Sequence, residues 1–259
     1  MNKKKICKIL DKNKKKPITC LTAYSKSIAQ IAGKYCDLIL VGDSLGMVLY
    51  GMKSTREVSI NTMILHAKTV KNYCKKSIVV FDMPYKTYTN KIVAYKNAKK
   101  IMKVTKCDAV KLEGGKKVSK IIKFLTENNI PVIGHIGLLP QTSQSYKVKG
   151  KNESEKEKIY NDALAVAKSG AVAVIIECVV ENLAKRITKN ISIPTIGIGA
   201  SKHCDGQILV TDDMLGLSDF YPKFVKKYSN LKKIIEISVK KYVKDVKDKR
   251  FPFTNNLYK

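Results

Sequence analysis

Asp43, Ser44, Asp82, Lys111, Glu113, His135 and Glu177 carry the groups through which this chain could do chemistry. Each stands at or near the end of a short apolar run. Asp43 and Ser44 follow "LILVG", Asp82 ends "SIVVFD", and Lys111 and Glu113 alternate in "AVKLEGG". His135 sits in "IPVIGHIG" and Glu177 in "AVAVIIECV". Taken singly, each has a plain structural use. An aspartate after a strand often caps a helix. Lys111 and Glu113, two apart on a strand, face the same way and could be an ion pair. His135 could be a hydrogen-bonded core histidine. Glu177 is harder to place so, because a carboxylate inside an apolar run needs a partner. Together the residues make a reactive set. Asp43, Asp82 and Glu113 are hard oxygen ligands of the kind that suits Mg²⁺, which takes one or two carboxylates plus water and substrate oxygens. With His135 alone beside them and no thiolate pair, zinc is disfavoured. Mg²⁺ held there could chelate a 2-oxo acid and stabilise its enolate. Lys111 could bind the acid's carboxylate or the developing enolate, and Glu177 could act as general base or acid.

The elements that must position these residues follow from the same runs. Eight occur, at 18–23, 38–43, 77–84, 109–115, 130–137, 171–179, 193–200 and 206–211. They are rich in Val and Ile and do not alternate with polar residues, which predicts strands buried on both faces, as in a parallel sheet. Helical spacing fills the gaps at 25–35, 60–73, 90–105, 116–129, 154–170 and 181–190, and a lysine-rich helix is expected over 222–247. The helix from 154 starts at a serine, carries acids early and stops at Gly170, matching the dipole and C-cap rules. Eight strands alternating with helices predict an α/β fold, a (β/α)₈ TIM barrel. Its active site would then lie at the C-terminal strand ends, where the polar residues converge. One domain is expected over 1–259, with a short basic segment at 1–17 and a helical extension at about 222–259. The charged stretch 147–158 reads as a surface loop entering a helix and is a candidate lid. Gly42 and Gly46 would let the chain turn tightly beside the site.

The composition, 44% hydrophobic, supports one sizeable core, and no apolar run reaches the roughly 18 residues of a membrane span. The basic N-terminus lacks the features of a secretory signal, so the cytoplasm is expected. Seven cysteines without a C-x-x-C pair predict reduced thiols, most of them buried. The formal charge of +29 raises nucleic-acid binding. Nearly all of it is lysine spread along the whole chain. Only Arg56, Arg186 and Arg250 could give the bidentate contacts that recognition favours. The charge therefore reads as compositional bias, with no specific nucleic acid and no membrane as partner. A positive surface would still attract small anions.

"TAY", "VGDSLGMVLYG", "DMP", "VKLEGG", "IPVIGHIGLLPQ", "IIECV", "LAKRIT", "IPTIGIGAS" and "DGQILV" occur in this order over residues 18–224. In them the chain resembles the ketopantoate hydroxymethyltransferase family. The resemblance implies a (β/α)₈ barrel, one Mg²⁺ per subunit and a homodecamer of two stacked pentameric rings. It implies transfer of a one-carbon unit from 5,10-methylenetetrahydrofolate to 3-methyl-2-oxobutanoate, in pantothenate biosynthesis. By motif, Asp43 and Asp82 correspond to the metal aspartates and Glu113 to a third metal-side carboxylate. Asp43, Ser44, Asp82, Lys111 and His135 correspond to the substrate neighbourhood, and Glu177 to the proton acceptor. Three departures stand out. Ser25 occupies a position where the pattern leads one to expect aspartate, Val180 one where it has proline, and the loop 142–145 is short.

Other readings have discriminating features. Phosphoenolpyruvate mutase and isocitrate lyase relatives share the fold and a "GDS" motif, but those lyases generally use a lid cysteine. No cysteine lies between Cys107 and Cys178 here. A metal-independent aldolase would use Lys111 as a Schiff-base lysine. A basic nucleic-acid-binding protein would show saturable, salt-dependent DNA binding.

Overall fold

The structure, a computed structural model, describes residues 3–12, 16–143 and 145–258. Eight strands run in chain order around a closed barrel: β1 (Ile18–Thr22), β2 (Leu38–Val41), β3 (Ile78–Asp82), β4 (Ala109–Glu113), β5 (Val132–Gly137), β6 (Ala173–Glu177), β7 (Thr195–Ile198) and β8 (Gly206–Leu209). All pairings are parallel, and β8 closes on β1 through Ile18 opposite Gly206. The expected (β/α)₈ architecture is present. The apolar runs become strands because each is covered on both faces. Ile18, Leu38, Ile78 and Ile133 face one buried cluster, and Ile39, Val79, Val110 and Val132 face another shared with the helices.

The outer layer is formed by α2 (Lys26–Tyr35), α4 (Ile60–Tyr73), α5 (Lys91–Thr105), α6 (Ser119–Glu127), α7 (Glu153–Lys168) and α8 (Glu181–Asn190), with α3 (Leu45–Tyr50) a short turn after β2. Boundaries follow local chemistry. The Asn90 side chain caps α5 by accepting from the Ile92 and Val93 amides. α7 begins one residue before the expected serine, because the Asn152 carboxamide accepts from the Glu155 amide. The helix expected from 116 is divided into a 3₁₀ turn, Gly115–Val118, and α6.

The basic N-terminal segment, expected only as a short extension, contains α1 (Lys3–Ile9). Its Ile6 and the following Leu10 are buried in the cluster that fills the barrel interior. Burying two such side chains contributes about 1.5–3 kcal/mol each. Met1, Asn2 and residues 13–15 of the same segment lie outside the described residues.

Met1–Val210 form one compact unit, and Thr211–Lys259 form a second. The second contains α9 (Thr211–Leu215), α10 (Leu231–Lys247) and a 3₁₀ turn at Thr254–Asn256. The helix expected over 222–247 begins only at Leu231. Pro222 and the stretch after it lie outside the helix, and the Asn230 side chain caps it by accepting from the Lys233 amide. Among the described residues, no helix is long and apolar enough to cross a membrane.

Candidate active site

The β-strand register decides which side chains meet. Asp82 stands beside Lys111, and Glu113 beside His135, on adjacent strands. β6 ends in Glu177, level with Gly137. Above the apolar filling, these polar ends share one small cavity of about 100 Å³. All seven residues expected at the site line it: Asp43, Ser44, Asp82, Lys111, Glu113, His135 and Glu177.

Lys111 is the positive centre. Its Nζ lies 2.7 Å from Asp82 Oδ2 and 3.6 Å from Glu113 Oε1. Burial disfavours the ammonium, but Asp82, Glu113 and Asp43 outweigh it and hold Lys111 charged well above its ordinary range. The carboxylates respond unequally. Burial first, and then the neighbouring Asp82 carboxylate, push Asp43 well up. Burial also raises Asp82, against the pull of Lys111. Burial would raise Glu113 too, but His135 and Lys111 carry it below the ordinary carboxylate value.

His135 is clamped between two acids. Its Nδ1 is 3.2 Å from Glu113 Oε1, and its Nε2 is 3.1 Å from Glu177 Oε2. Both ring nitrogens lack a well-angled hydrogen bond, so these are ion-pair contacts. Burial and Lys111 oppose the imidazolium, but Glu113 and Glu177 prevail and raise its pKa to about 9. A folded pKa above the ordinary 6.5 gives stability that is fully present below about 6.5 and lost as pH rises through about 9. Urea midpoints should therefore fall across that window, and His135→Asn should flatten the fall. Equal slopes in both proteins would refute this role for the imidazole.

Gln141, the last residue of "IPVIGHIGLLPQ", follows a proline in a loop, and its sequence position gives no sign of a role. The structure makes it the hub of the site. Its Nε2 donates to Asp43 Oδ2 at 2.8 Å and to the Met83 carbonyl at 3.0 Å. Its backbone amide donates to Glu113 Oε2 at 3.1 Å, and its Oε1 accepts from the Tyr88 hydroxyl. Arg56 Nε fixes its carbonyl at 2.8 Å. Hydrogen bonds to charged groups are worth about 1.5–3 kcal/mol each, so one loop residue holds two carboxylates in place. Tyr24 plays a similar part for Ser44, with its hydroxyl 2.8 Å from Ser44 Oγ. The Ser44 side chain makes no helix-cap contact, and it stays available to the cavity.

Glycines here serve close approach more than turning. Gly42 and Gly46 do not have the left-handed φ expected of a tight turn. A Cβ on Gly42 would come within 2.9 Å of Ser44 Oγ, and one on Gly46 within 2.9 Å of Met52 Sδ. Gly137 is different. Its φ is +91°, and a Cβ there would lie 2.4 Å from the Glu177 carbonyl oxygen. The candidate lid is partly pinned. Lys149 exchanges backbone hydrogen bonds with Cys178 and Val180 at the end of β6, and residues from 153 are helical. Gln144, within the short 142–145 loop, lies outside the described residues.

The donor set fits a magnesium ion. Asp82 Oδ1 is buried without a hydrogen-bond partner, which is a costly state for a carboxylate oxygen. Among the described residues, no three His, Cys, Asp or Glu side chains stand as a closed metal cage. A Mg²⁺ that takes two carboxylates and keeps water or substrate oxygens needs no such cage.

A family model described as ketopantoate hydroxymethyltransferase matches residues 3–254. The chain belongs to the ketopantoate hydroxymethyltransferase family. It is thus a transferase. It is 52% identical to the 3-methyl-2-oxobutanoate hydroxymethyltransferase of Pelagibacter ubique (strain HTCC1062), over 100% of both chains. It is 51% identical to the protein of the same name from Rhizobium etli, over 94% of this chain and 91% of the other. Solved structures extend the fold comparison. A 2,3-dimethylmalate lyase of the PEP mutase/isocitrate lyase superfamily matches with a TM-score of 0.65 and 13% identity, covering 98% of this chain and 87% of that one. A phosphonopyruvate hydrolase solved with oxalate and Mg²⁺ matches with a TM-score of 0.63 and 11% identity, covering 100% and 92%. At such identities the likeness concerns the fold alone.

Proposed function

We propose that the chain transfers a hydroxymethyl group from 5,10-methylenetetrahydrofolate to 3-methyl-2-oxobutanoate, giving 2-dehydropantoate (ketopantoate) in pantothenate biosynthesis. Within a family of that name, the observation that carries the reading is the small cavity itself. An acid suited to proton transfer, Glu177, and an unpartnered carboxylate oxygen, Asp82 Oδ1, line the same space, which is sized for a small branched oxo acid.

Asp43 and Asp82 would hold Mg²⁺ directly, with Glu113 behind them through water. Bound there, Mg²⁺ would supply Lewis-acid chelation of the oxo acid and stabilise its enolate. Lys111 offers the oxo acid a fixed positive charge, and Ser44 offers a hydroxyl oriented by Tyr24. Glu177, oriented by His135, takes the C3 proton. The C3 carbon then bonds to the one-carbon unit, water supplies the hydroxyl, and tetrahydrofolate leaves. The ion-paired state of Lys111 tells against a Schiff-base aldolase, which needs a neutral amine.

The homodecamer remains part of the proposal. α10 has no buried residue and exposes Ile234, Ile235, Val239 and Tyr242, which supports self-association. Seven free cysteines support a reducing, cytoplasmic setting.

The test is hydrogen–deuterium exchange at C3 of 3-methyl-2-oxobutanoate, with no donor present. Exchange should require Mg²⁺ and stop in EDTA. No exchange with Mg²⁺, or equal exchange in EDTA, would overturn the reading.

A further inference from the structure

We propose that a second, larger cavity beside the reaction site is where the one-carbon donor sits, and that its lysine rim selects donors by the carboxylates of their tail. The inference rests on the reaction proposed above. The acid cavity, at about 100 Å³, cannot hold a folate as well as an oxo acid. The second cavity, of about 600 Å³, is within the range of sites for larger ligands. The two adjoin. Glu113 lines both, and Pro140 lines the smaller while Gln141 lines the larger. The larger is built by the segments after β3, β4 and β5 and by the first turns of α7, at the same barrel end as the site.

Its chemistry is two-sided. Tyr85, Tyr88, Val118 and Ile121 give a wall for a flat heteroaromatic head. Lys86, Lys117, Lys149 and Lys158 add positive charge. Three acids also line it, Glu113, Glu155 and Asp162, and Asp162 feels the charges of Lys158 and Lys117 while the two outer acids are turned onto backbone amides. Asp162 Oδ1 accepts from the Lys116 amide at 2.6 Å, and Glu155 Oε2 accepts from the Gly150 amide at 2.7 Å. Among the described residues, no carboxylate oxygen lies within 4.0 Å of the ammonium groups of Lys117, Lys149 or Lys158. Such a set of lysines, none held in a close ion pair and set beside an apolar wall, suits a ligand with a ring at one end and several carboxylates at the other. Each solvent-facing contact is weak alone, and a tail with several carboxylates adds them together.

The test compares donors carrying one and three glutamates. In a triple variant, Lys117→Gln, Lys149→Gln and Lys158→Gln, the KM for the triglutamate donor should rise about tenfold, and that for the monoglutamate much less. Equilibrium binding of tetrahydropteroyl triglutamate should weaken by the same factor. Donor-free C3 exchange, which reads the acid cavity alone, should persist. A charge-matched control on the outer helix, Lys96→Gln, Lys100→Gln and Lys103→Gln, should shift the KM by less than about twofold. Unchanged tail preference in the triple variant, or an equal shift in the control, would overturn the donor site while leaving the exchange reaction standing. Loss of exchange in the triple variant would also overturn it, by placing those lysines in the acid cavity. Absence of exchange in the native protein would remove the reaction reading, and this inference with it.

Discussion

Glu177→Gln is expected to slow Mg²⁺-dependent C3 exchange by about 10²–10⁴-fold, the usual contribution of a positioned general base. Glu177 has the geometry for the role. It ends β6, its side chain is 17% exposed, and it faces the small cavity. The other acids of the site are sealed, with side-chain exposures of 2% for both Asp82 and Glu113. His135 on one side leaves the rest of the carboxylate free to reach substrate. Glutamine keeps the shape and loses the basicity. Binding of Mg²⁺, followed by calorimetry, should therefore stay near that of the native protein while exchange falls. Asp43→Asn should do the reverse in order, weakening Mg²⁺ binding first. Near-native exchange in Glu177→Gln would remove the base assignment.

Lys111→Met is expected to cost about 3–5 kcal/mol of stability, because it leaves buried carboxylates without their counter-charge. Lys111 is 4% exposed, and Asp43, Asp82 and Glu113 all lean on it. The methionine can fill the space of the stem but cannot satisfy Asp82 Oδ2. The pH dependence has a definite sign. Asp43 and Asp82 already have folded pKa values raised by burial, and removal of the ammonium raises them further. The stability of such groups is present below the ordinary carboxylate range, near pH 4, and is lost as pH rises through their raised values. The deficit should be large at pH 7 and shrink as the pH falls toward about 4. Urea midpoints for both proteins at several pH values measure it. A variant with native midpoints at pH 7 would show that Lys111 is not the electrostatic keystone of this cluster.

No strand pattern points to Gln141, a loop residue that follows Pro140. Its importance arises from Arg56, Tyr88, Asp43 and Glu113, which come from other loops and strands. The N-terminal run of lysines hid Ile6 and Leu10, two apolar residues spaced four apart that bury into the barrel interior. The C-terminal helix starts later than its composition suggests, because the lysine-rich residues after Pro222 have no cap before Asn230.

By itself the sequence determined the fold class and which strand-end side chains come together. Short Val- and Ile-rich runs without alternation, bounded by glycine and proline, fit strands of a parallel sheet covered on both faces. Eight of them with intervening helices leave a barrel, whose C-terminal strand ends must gather Asp43, Asp82, Lys111, Glu113, His135 and Glu177. The tertiary structure alone decided their states. Register puts Lys111 against Asp82 and His135 between Glu113 and Glu177, and burial turns those distances into shifted charges. It also separated a small acid cavity from a larger one beside it, since the wall between them is made by side chains far apart in the chain. Charge state and cavity shape depend on distances across strands and loops, and spacing along the chain does not contain them.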